Sequence, residues 1–178
     1  MMMIEIRKNF FDNDLIEELS TLAIKSYKSN KLRTNFSSWK DGIVQYSTAV
    51  LIYDIFNDNE IYKKLCKKFD TEDYNFTFQY WTQGSYIPWH DDGSATEAGT
   101  VYLNKKWNLD WGGLFMWMDD SDKKIYAEKP EYNKLIFLSG NINQHSTTPV
   151  IRPLYGDTGQ VMRTTLQFFS ENTRRKIY

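Results

Sequence analysis

The chain has 178 residues, with 22 Lys and Arg against 23 Asp and Glu, and a formal charge of −1 at pH 7. This length predicts one domain over residues 1–178, and the scattered charges argue against a nucleic-acid partner. No apolar run is long enough to cross a membrane, and the first residues lack the apolar core of a signal peptide, so no membrane partner is expected. The single cysteine, Cys66, excludes an internal disulfide and favours a reducing, cytoplasmic compartment.

The first part of the chain predicts helical support over about residues 11–70, after a short edge-like segment, IEIRKNF. Asp12, Asn13 and Asp14 offer N-cap side chains for a first helix. Apolar residues then recur at helical spacing: Leu15, Ile16, Leu19, Leu22, Ala23 and Tyr27. A second helix is predicted from near Asn57, with Glu60 in a capping box. The segment YSTAVLIYDIF between the two helices is ambiguous in period.

From about residue 74 to residue 170 the sequence has the texture of antiparallel strands. Short apolar and aromatic runs alternate with Gly, Asn, Asp and Pro. These runs are YNFTFQYW, TVYLN, GGLFMWM, KKIYAE, KLIFLSG, HSTTPVI and RTTLQFFS. The pattern predicts a mainly β (α+β) fold, in which a double-sheet core carries helices on one side.

The two histidines of the chain suggest a metal site. In an extended segment His90 and Asp92 share a face, whereas Asp91 points away. If His145, at the start of HSTTPVI, lies on a neighbouring strand, two imidazoles and one carboxylate can surround one ion. Two histidines and one carboxylate suit non-haem Fe(II) and leave positions open for other ligands.

The strand RTTLQFF places Arg163, Thr165 and Gln167 on one face, and Leu166 and Phe168 on the other. An arginine that faces a β core is costly to bury unless it meets an anion, and its planar fork matches a carboxylate. Arg152 is an alternative, but Pro153 follows it and the segment is predicted to be a loop. Arg163 is preferred because it leads directly into an apolar strand.

Taken in order, these residues resemble the 2-oxoglutarate and Fe(II)-dependent dioxygenases, in particular their prolyl 4-hydroxylase-like branch. The resemblance covers about residues 74–170. Its landmarks are Tyr80, Gly84, His90-x-Asp92, Tyr102-Leu103-Asn104 with Trp107, Gly112-Gly113-Leu114, Pro130 with Asn133-Lys134-Leu135-Ile136-Phe137, His145 and Arg163. The resemblance implies a double-stranded β-helix, or jelly roll, with supporting N-terminal helices.

The resemblance also implies a role for each matching residue. His90, Asp92 and His145 would bind iron. Arg163 and Tyr102 would hold the distal carboxylate of 2-oxoglutarate, and Tyr80 would line the pocket near its metal-bound end. Trp89 and Phe169 would line the approach of the substrate, and Arg33 to Ser38 would belong to a mobile loop that closes over it.

The activity implied by the resemblance is hydroxylation of proline in a peptide or protein of the procollagen-proline 4-dioxygenase type. Fe(II), 2-oxoglutarate and O₂ would be required, with ascorbate as a possible reductant, and succinate and CO₂ would be coproducts. The same chemistry on a free amino acid or another side chain is an alternative, and so is a metal-free jelly-roll binding module. Nucleic-acid demethylases of the superfamily usually carry a second arginine where this chain has Phe169.

Overall fold

The computed structural model describes residues 3–35, 50–57, 59–90, 96–119, 121–139, 144–151 and 162–170. Within these ranges the chain forms two α-helices and antiparallel strands. The elements are β1 Met3–Arg7, α1 Asn13–Tyr27, β2 Arg33–Asn35, β3 Val50–Asp54, α2 Asn59–Phe69, β4 Tyr74–Trp81, β5 Ile87–His90, β6 Glu97–Tyr102, β7 Phe115–Met118, β8 Ile125–Glu128, β9 Leu135–Ser139, β10 His145–Thr147 and β11 Arg163–Ser170. Short 3₁₀ turns cover Ile55–Asn57 and Leu109–Trp111.

The strands form two sheets. The larger sheet has seven described strands in the order β1-β9-β6-β11-β4-β3-β2, and the smaller has four in the order β5-β10-β7-β8. All of the described pairings are antiparallel. The chain passes repeatedly between the sheets, as in a jelly roll. The mainly β, double-sheet fold expected from the sequence is therefore confirmed.

Both helices pack on one face of the larger sheet, as the sequence predicted. The Asp12 carboxylate caps α1 by accepting a 2.9 Å hydrogen bond from the Leu15 amide. Helix α2 begins at Asn59 rather than near Asn57, because the chain first makes the 3₁₀ turn. The main core cluster joins residues of both helices to the helix-facing side chains of β4 and β11: Leu15, Ile16, Leu19, Ala23, Ile61, Leu65, Phe76, Phe78, Tyr80, Leu166 and Phe168.

The opposite face of the larger sheet looks into the space between the sheets. On β11, Leu166 and Phe168 pack in the helix-side core, whereas Thr165 accepts a hydrogen bond from the Trp81 indole on β4. The predicted division of β11 into two faces is confirmed. Alternation along the strands therefore places Arg163, Thr165 and Gln167 on the inner face.

The part of the chain that was predicted to form supporting helices, about residues 11–70, also contains strands. Strands β2 and β3, at residues 33–35 and 50–54, extend the larger sheet beyond β4. Strand β3 accounts for part of the segment whose period was ambiguous, and β1 pairs with β9 at the other edge. The β core thus begins well before residue 74. None of the described helices is long and apolar enough to cross a membrane.

Candidate active site

The two histidines lie side by side on the smaller sheet. Strands β5 and β10 are antiparallel neighbours, and His90 is the register partner of His145. Their ring centroids are 4.2 Å apart, with an angle of 52° between the ring planes. Two nitrogens bound to one ion at about 2.1 Å lie about 3 Å from each other, so this spacing suits ligands of a single metal. The predicted convergence of two sequence-distant histidines is present.

A hydrogen bond sets the tautomer of His90. Its Nδ1 lies 2.8 Å from the carbonyl oxygen of Pro88. A carbonyl oxygen only accepts hydrogen bonds, so Nδ1 is the donor, and in a neutral ring Nε2 carries the lone pair. Histidines that bind metals are commonly oriented in this way, by donating from the nitrogen that does not face the ion.

Both candidate carboxylate ligands lie outside the described residues. Asp91 and Asp92 follow directly after the end of β5 at His90. Among the described residues there is no group of three His, Cys, Asp or Glu side chains that could hold a metal. The assignment of Asp92 as the third ligand therefore stays a prediction. Arg152, the alternative anion ligand, also lies outside the described residues.

Arg163 is buried between the two sheets. The residue is 1% exposed, and its Nε and Nη1 atoms have no hydrogen-bond partner within the described structure. Its guanidinium carbon lies 4.5 Å from the ring centroid of Trp81 and 5.2 Å from that of Tyr102. Burial lowers the pKa of Arg163, and the neighbouring Tyr102 opposes this effect. Arginine keeps its charge even so, which leaves a cation with unused donors beside two aromatic rings.

Tyr102 adds a second unused donor beside Arg163. The side chain is fully buried, and within the described structure its hydroxyl makes no hydrogen bond of ordinary geometry, although the guanidinium is near. Burial raises the pKa of the phenol, while Arg163 lowers it. The hydroxyl is therefore a neutral donor at physiological pH. A buried cation and a buried O–H group, each with a donor that lacks an acceptor among the described residues, can bind an anion.

The glycine pair Gly112-Gly113 closes one wall of this anion site. Gly113 has a φ of +67°, and a Cβ atom there would lie 3.0 Å from Cδ of Arg163. A Cβ on Gly112 would lie 2.1 Å from the carbonyl oxygen of Pro149. Trp107 donates from its indole nitrogen to the Gly112 carbonyl at 3.0 Å. The motif thus has a steric reason, since only glycine lets the backbone approach the arginine so closely.

Asn104 holds the backbone on both sides of Arg163. Its Nδ2 donates to the carbonyl of Met162 at 2.9 Å, and its Oδ1 accepts from the amide of Thr164 at 2.7 Å. The asparagine is buried. Sequence reasoning identified Asn104 only as part of a motif and missed this function, because the contact joins segments about sixty residues apart.

The structure corrects the predicted position of Tyr80. Its ring lies on the helix side of the larger sheet, 5.3 Å from the ring of Tyr27, and its hydroxyl donates to the carbonyl of Ala23 at 2.7 Å. The prediction that Tyr80 lines the cosubstrate pocket is therefore wrong. Side chains alternate along a strand, so the next residue, Trp81, faces inward and stacks on Arg163 instead.

The three residues expected near the substrate lie in different places. Trp89 is 38% exposed on β5, beside His90, and Phe169 packs half-buried in the inner cluster that contains Tyr102. Arg33 lies in β2 and makes a bidentate ion pair with Asp54, at 2.8 and 3.0 Å. Residues 33–35 are paired with β3, and residues 36–38 lie outside the described residues, so the prediction of a closing loop stays a prediction.

Comparison with solved structures finds the same fold in several oxygenases. The chain is similar to a prolyl hydroxylase from Trichoplax adhaerens in complex with a peptide fragment of the hypoxia inducible factor oxygen degradation domain, with a TM-score of 0.74, 19% identity, and coverage of 98% of this chain and 87% of that one. A prolyl-4-hydroxylase from Pseudomonas putida gives a TM-score of 0.68 at 16% identity, over 94% and 91% of the two chains. A 2OG-Fe(II) oxygenase family protein from Burkholderia pseudomallei gives 0.58 at 13% identity, over 96% and 85%.

The comparisons with sequences give no further assignment. No protein-family model matches the chain, and no curated protein matches it significantly. The shared fold therefore rests on structure, at identities of 13–19%. The chain has the jelly-roll fold of 2-oxoglutarate and Fe(II) oxygenases, including prolyl hydroxylases.

Proposed function

We propose that this protein is an Fe(II)- and 2-oxoglutarate-dependent hydroxylase that acts on proline in a peptide or protein. The observation that carries the proposal is Arg163, a buried guanidinium with unused donors in the same inter-sheet space that the paired histidines border. A jelly-roll binding module without a metal would account for a site for an anion but not for the two histidines paired beside it. In an oxygenase, the arginine would bind a carboxylate and the histidines would bind iron.

The residues present fit the implied iron. His90 and His145 would supply two neutral nitrogen ligands, and Asp92 is proposed as the carboxylate. The hydrogen bond from His90 Nδ1 to the Pro88 carbonyl would keep Nε2 available for the metal. Bound iron would supply the oxidative chemistry, in which 2-oxoglutarate and O₂ are converted to succinate and CO₂ while one oxygen atom enters the substrate.

The residues also fit the distal carboxylate of 2-oxoglutarate. Arg163 would provide a charged fork, and Tyr102 would donate its O–H to the same carboxylate. Trp81 covers the guanidinium, the backbone at Gly113 lies close to Cδ of Arg163, and the arginine is almost fully shielded from water. An ion pair formed in such a dry site is stronger than one at the surface. These groups would hold and orient the cosubstrate.

Proline is the proposed target because two of the similar structures are prolyl hydroxylases, one of them with a bound peptide. The same oxygenase chemistry on another side chain or a free amino acid is the second candidate, since the anion and metal sites do not select the substrate. The single cysteine supports the further proposal that the protein works in a reducing compartment such as the cytoplasm.

The test of the cosubstrate site is an anaerobic titration of the Fe(II)-loaded protein with 2-oxoglutarate. We expect a weak visible charge-transfer band in the wild type. Arg163→Met should raise the Kd for 2-oxoglutarate by about 100-fold, because it removes charge-assisted hydrogen bonds worth about 1.5–3 kcal/mol each. Arg152→Met is the matched control and should bind normally. Normal affinity in Arg163→Met with weak binding in Arg152→Met would reassign the carboxylate to Arg152.

The test of the substrate is incubation of the iron-loaded protein with a library of proline-containing peptides, 2-oxoglutarate and O₂. A mass gain of one oxygen atom on proline, absent in His145→Ala, is the expected result. Oxygen incorporated only at other side chains or into free amino acids would establish the second candidate. Absence of any charge-transfer band in the wild type would contradict the oxygenase proposal altogether.

A further inference from the structure

A second buried cation, Lys134, lies on the inner face of the larger sheet beside Tyr102. Lys134 is 1% exposed. Its carbonyl oxygen accepts a 3.2 Å hydrogen bond from the amide of Tyr102, so the pairing of β6 with β9 continues to this point. Two residues further on, Ile136 packs with Tyr102 in the inner cluster. Alternation along the strand therefore directs the Lys134 side chain into the space between the sheets.

Lys134 forms an ion pair across that space. Its Nζ lies 2.9 Å from Oε2 of Glu128 on β8 and 3.6 Å from Oε2 of Glu131. Glu128 is the register partner of Phe115, and Phe115 packs in the same inner cluster as Tyr102. Register partners share a face of the sheet, so Glu128 also points between the sheets. The ion pair therefore joins the two sheets beside the candidate anion site.

The Glu128 carboxylate places a negative charge near the position where an anion is proposed to bind. Burial is the main cause of the raised pKa of Tyr102, and the charge of Glu128 raises it further. The side chain of Glu128 is 31% exposed, so water can solvate its charge even without a partner. An uncompensated carboxylate here would repel an incoming dicarboxylate. Lys134 supplies the compensating cation at ion-pair distance.

We propose that Lys134 is a positioning residue for the 2-oxoglutarate site, which holds and neutralises the Glu128 carboxylate so that it does not repel the distal carboxylate of the cosubstrate. The inference rests on the proposed function, since it concerns the same cosubstrate site. It gives the two buried cations different tasks. Arg163 has unused donors for a ligand, whereas the ammonium of Lys134 is already paired with a carboxylate of the protein.

The test is an anaerobic titration of the Fe(II)-loaded protein with 2-oxoglutarate. Lys134→Met removes the cation and leaves Glu128 charged, so the Kd should rise about 10-fold. Glu128→Gln removes the negative charge and leaves the cation, so the Kd should fall about threefold. The double variant lacks both charges and should bind within about twofold of the wild type, because the two effects oppose each other.

Two controls separate this electrostatic effect from a loss of structure. Lys8→Met is the matched control, because Lys8 pairs with Glu131 at 3.2 Å but is exposed, and it should bind 2-oxoglutarate normally. The analogue 2-oxopentanoate lacks the distal carboxylate, so Lys134→Met and the wild type should bind it equally well. Urea denaturation shows whether each variant is folded. If Lys134→Met does not fold, the tighter binding expected of Glu128→Gln tests the same repulsion.

The outcomes separate this inference from the proposed function. If the wild type binds 2-oxoglutarate and Lys134→Met binds it equally well, Lys134 has no such task, although the cosubstrate site stands. Weaker binding in both Lys134→Met and Glu128→Gln, or an equal loss of affinity for 2-oxopentanoate, would also overturn the inference, since the ion pair would then serve the fold. If the folded wild type binds no 2-oxoglutarate, the proposed function fails and this inference fails with it.

Discussion

At the scale of single residues, the buried donors at Arg163 are of the kind that a bound anion would satisfy. The guanidinium and the Tyr102 hydroxyl are both buried, and each has donors without acceptors in the described structure. An unsatisfied buried polar group costs about 1–3 kcal/mol. A bound anion would supply the missing acceptors. Without it, the unsatisfied donors should lower the free energy of unfolding of the protein.

Tyr102→Phe is therefore expected to change stability and binding in opposite directions. Without 2-oxoglutarate, removing the unpartnered hydroxyl should raise the free energy of unfolding by about 1 kcal/mol. The Kd for 2-oxoglutarate should rise about 10-fold, because one hydrogen bond to the carboxylate is lost. Urea denaturation and calorimetric titration measure the two effects. A variant that is less stable and binds normally would mean that the hydroxyl serves the fold.

The neighbours Tyr80 and Trp81 show what the sequence could and could not specify at this scale. Both sheet faces at β4 are buried, one under α1 and one between the sheets, so the aromatic residues do not reveal which face is which. Arg163 was found because an arginine that faces a β core is costly without an anion, and the histidines were found because His90-x-Asp92 places two ligands on one face. Tyr80 was assigned to the pocket from the resemblance, and its residue type gave no warning, because a phenol can be buried on either face.

At the scale of elements, a buried asparagine fixes the start of β11, and a second one offers a comparison. Asn104 bridges the backbone of Met162 and Thr164, and Asn133 bridges both backbone groups of Phe11, at 2.9 and 2.8 Å. Each side chain thus joins two distant segments through two hydrogen bonds. Only the bridge made by Asn104 lies on both sides of Arg163.

Replacement of these two residues should separate stability from binding. Asn104→Ala and Asn133→Ala should each lower the free energy of unfolding by about 2–3 kcal/mol, because each leaves buried backbone groups unpaired. Asn104→Ala alone should also weaken 2-oxoglutarate binding, by about 10-fold, since Arg163 loses its fixed position. Denaturation and anaerobic titration provide the readouts. Equal losses of affinity in both variants would mean that binding follows overall stability.

The strand pattern was predictable where one segment forms one complete strand. The runs YNFTFQYW and RTTLQFFS are β4 and β11 residue for residue. Strand β2 was missed and β3 was left ambiguous, because β3 has buried residues on both faces and therefore lacks the alternation of a half-buried strand. The pairing of β2 with β3 depends on tertiary contact, which a single sequence does not display.

At the scale of the whole molecule, buried tyrosines should control stability at high pH. Burial raises the pKa of Tyr80, which donates to Ala23, and also that of Tyr102. A raised folded-state pKa leaves stability unchanged below the unfolded-state pKa of about 10. Above it, the unfolded chain loses protons that the folded chain retains, so stability falls as pH rises.

Tyr80→Phe should therefore reduce the loss of stability above pH 10. A tyrosine that ionises only on unfolding contributes a slope of about 1.4 kcal/mol per pH unit, and the variant should lack this contribution. Urea denaturation at several pH values between 9 and 11 measures the slope for both proteins. Identical slopes would show that Tyr80 ionises equally well in the folded and unfolded chains.

The chain has only two histidines, His90 and His145, and the fold brings their ring centroids to 4.2 Å from each other. Every histidine-specific signal from this protein thus originates at the candidate metal centre. Imidazole resonances in a sample labelled with ¹⁵N-histidine would report ring tautomer and metal contact without any assignment by mutation. Because β5 pairs with β10, both histidine side chains act as spectroscopic probes of this one site.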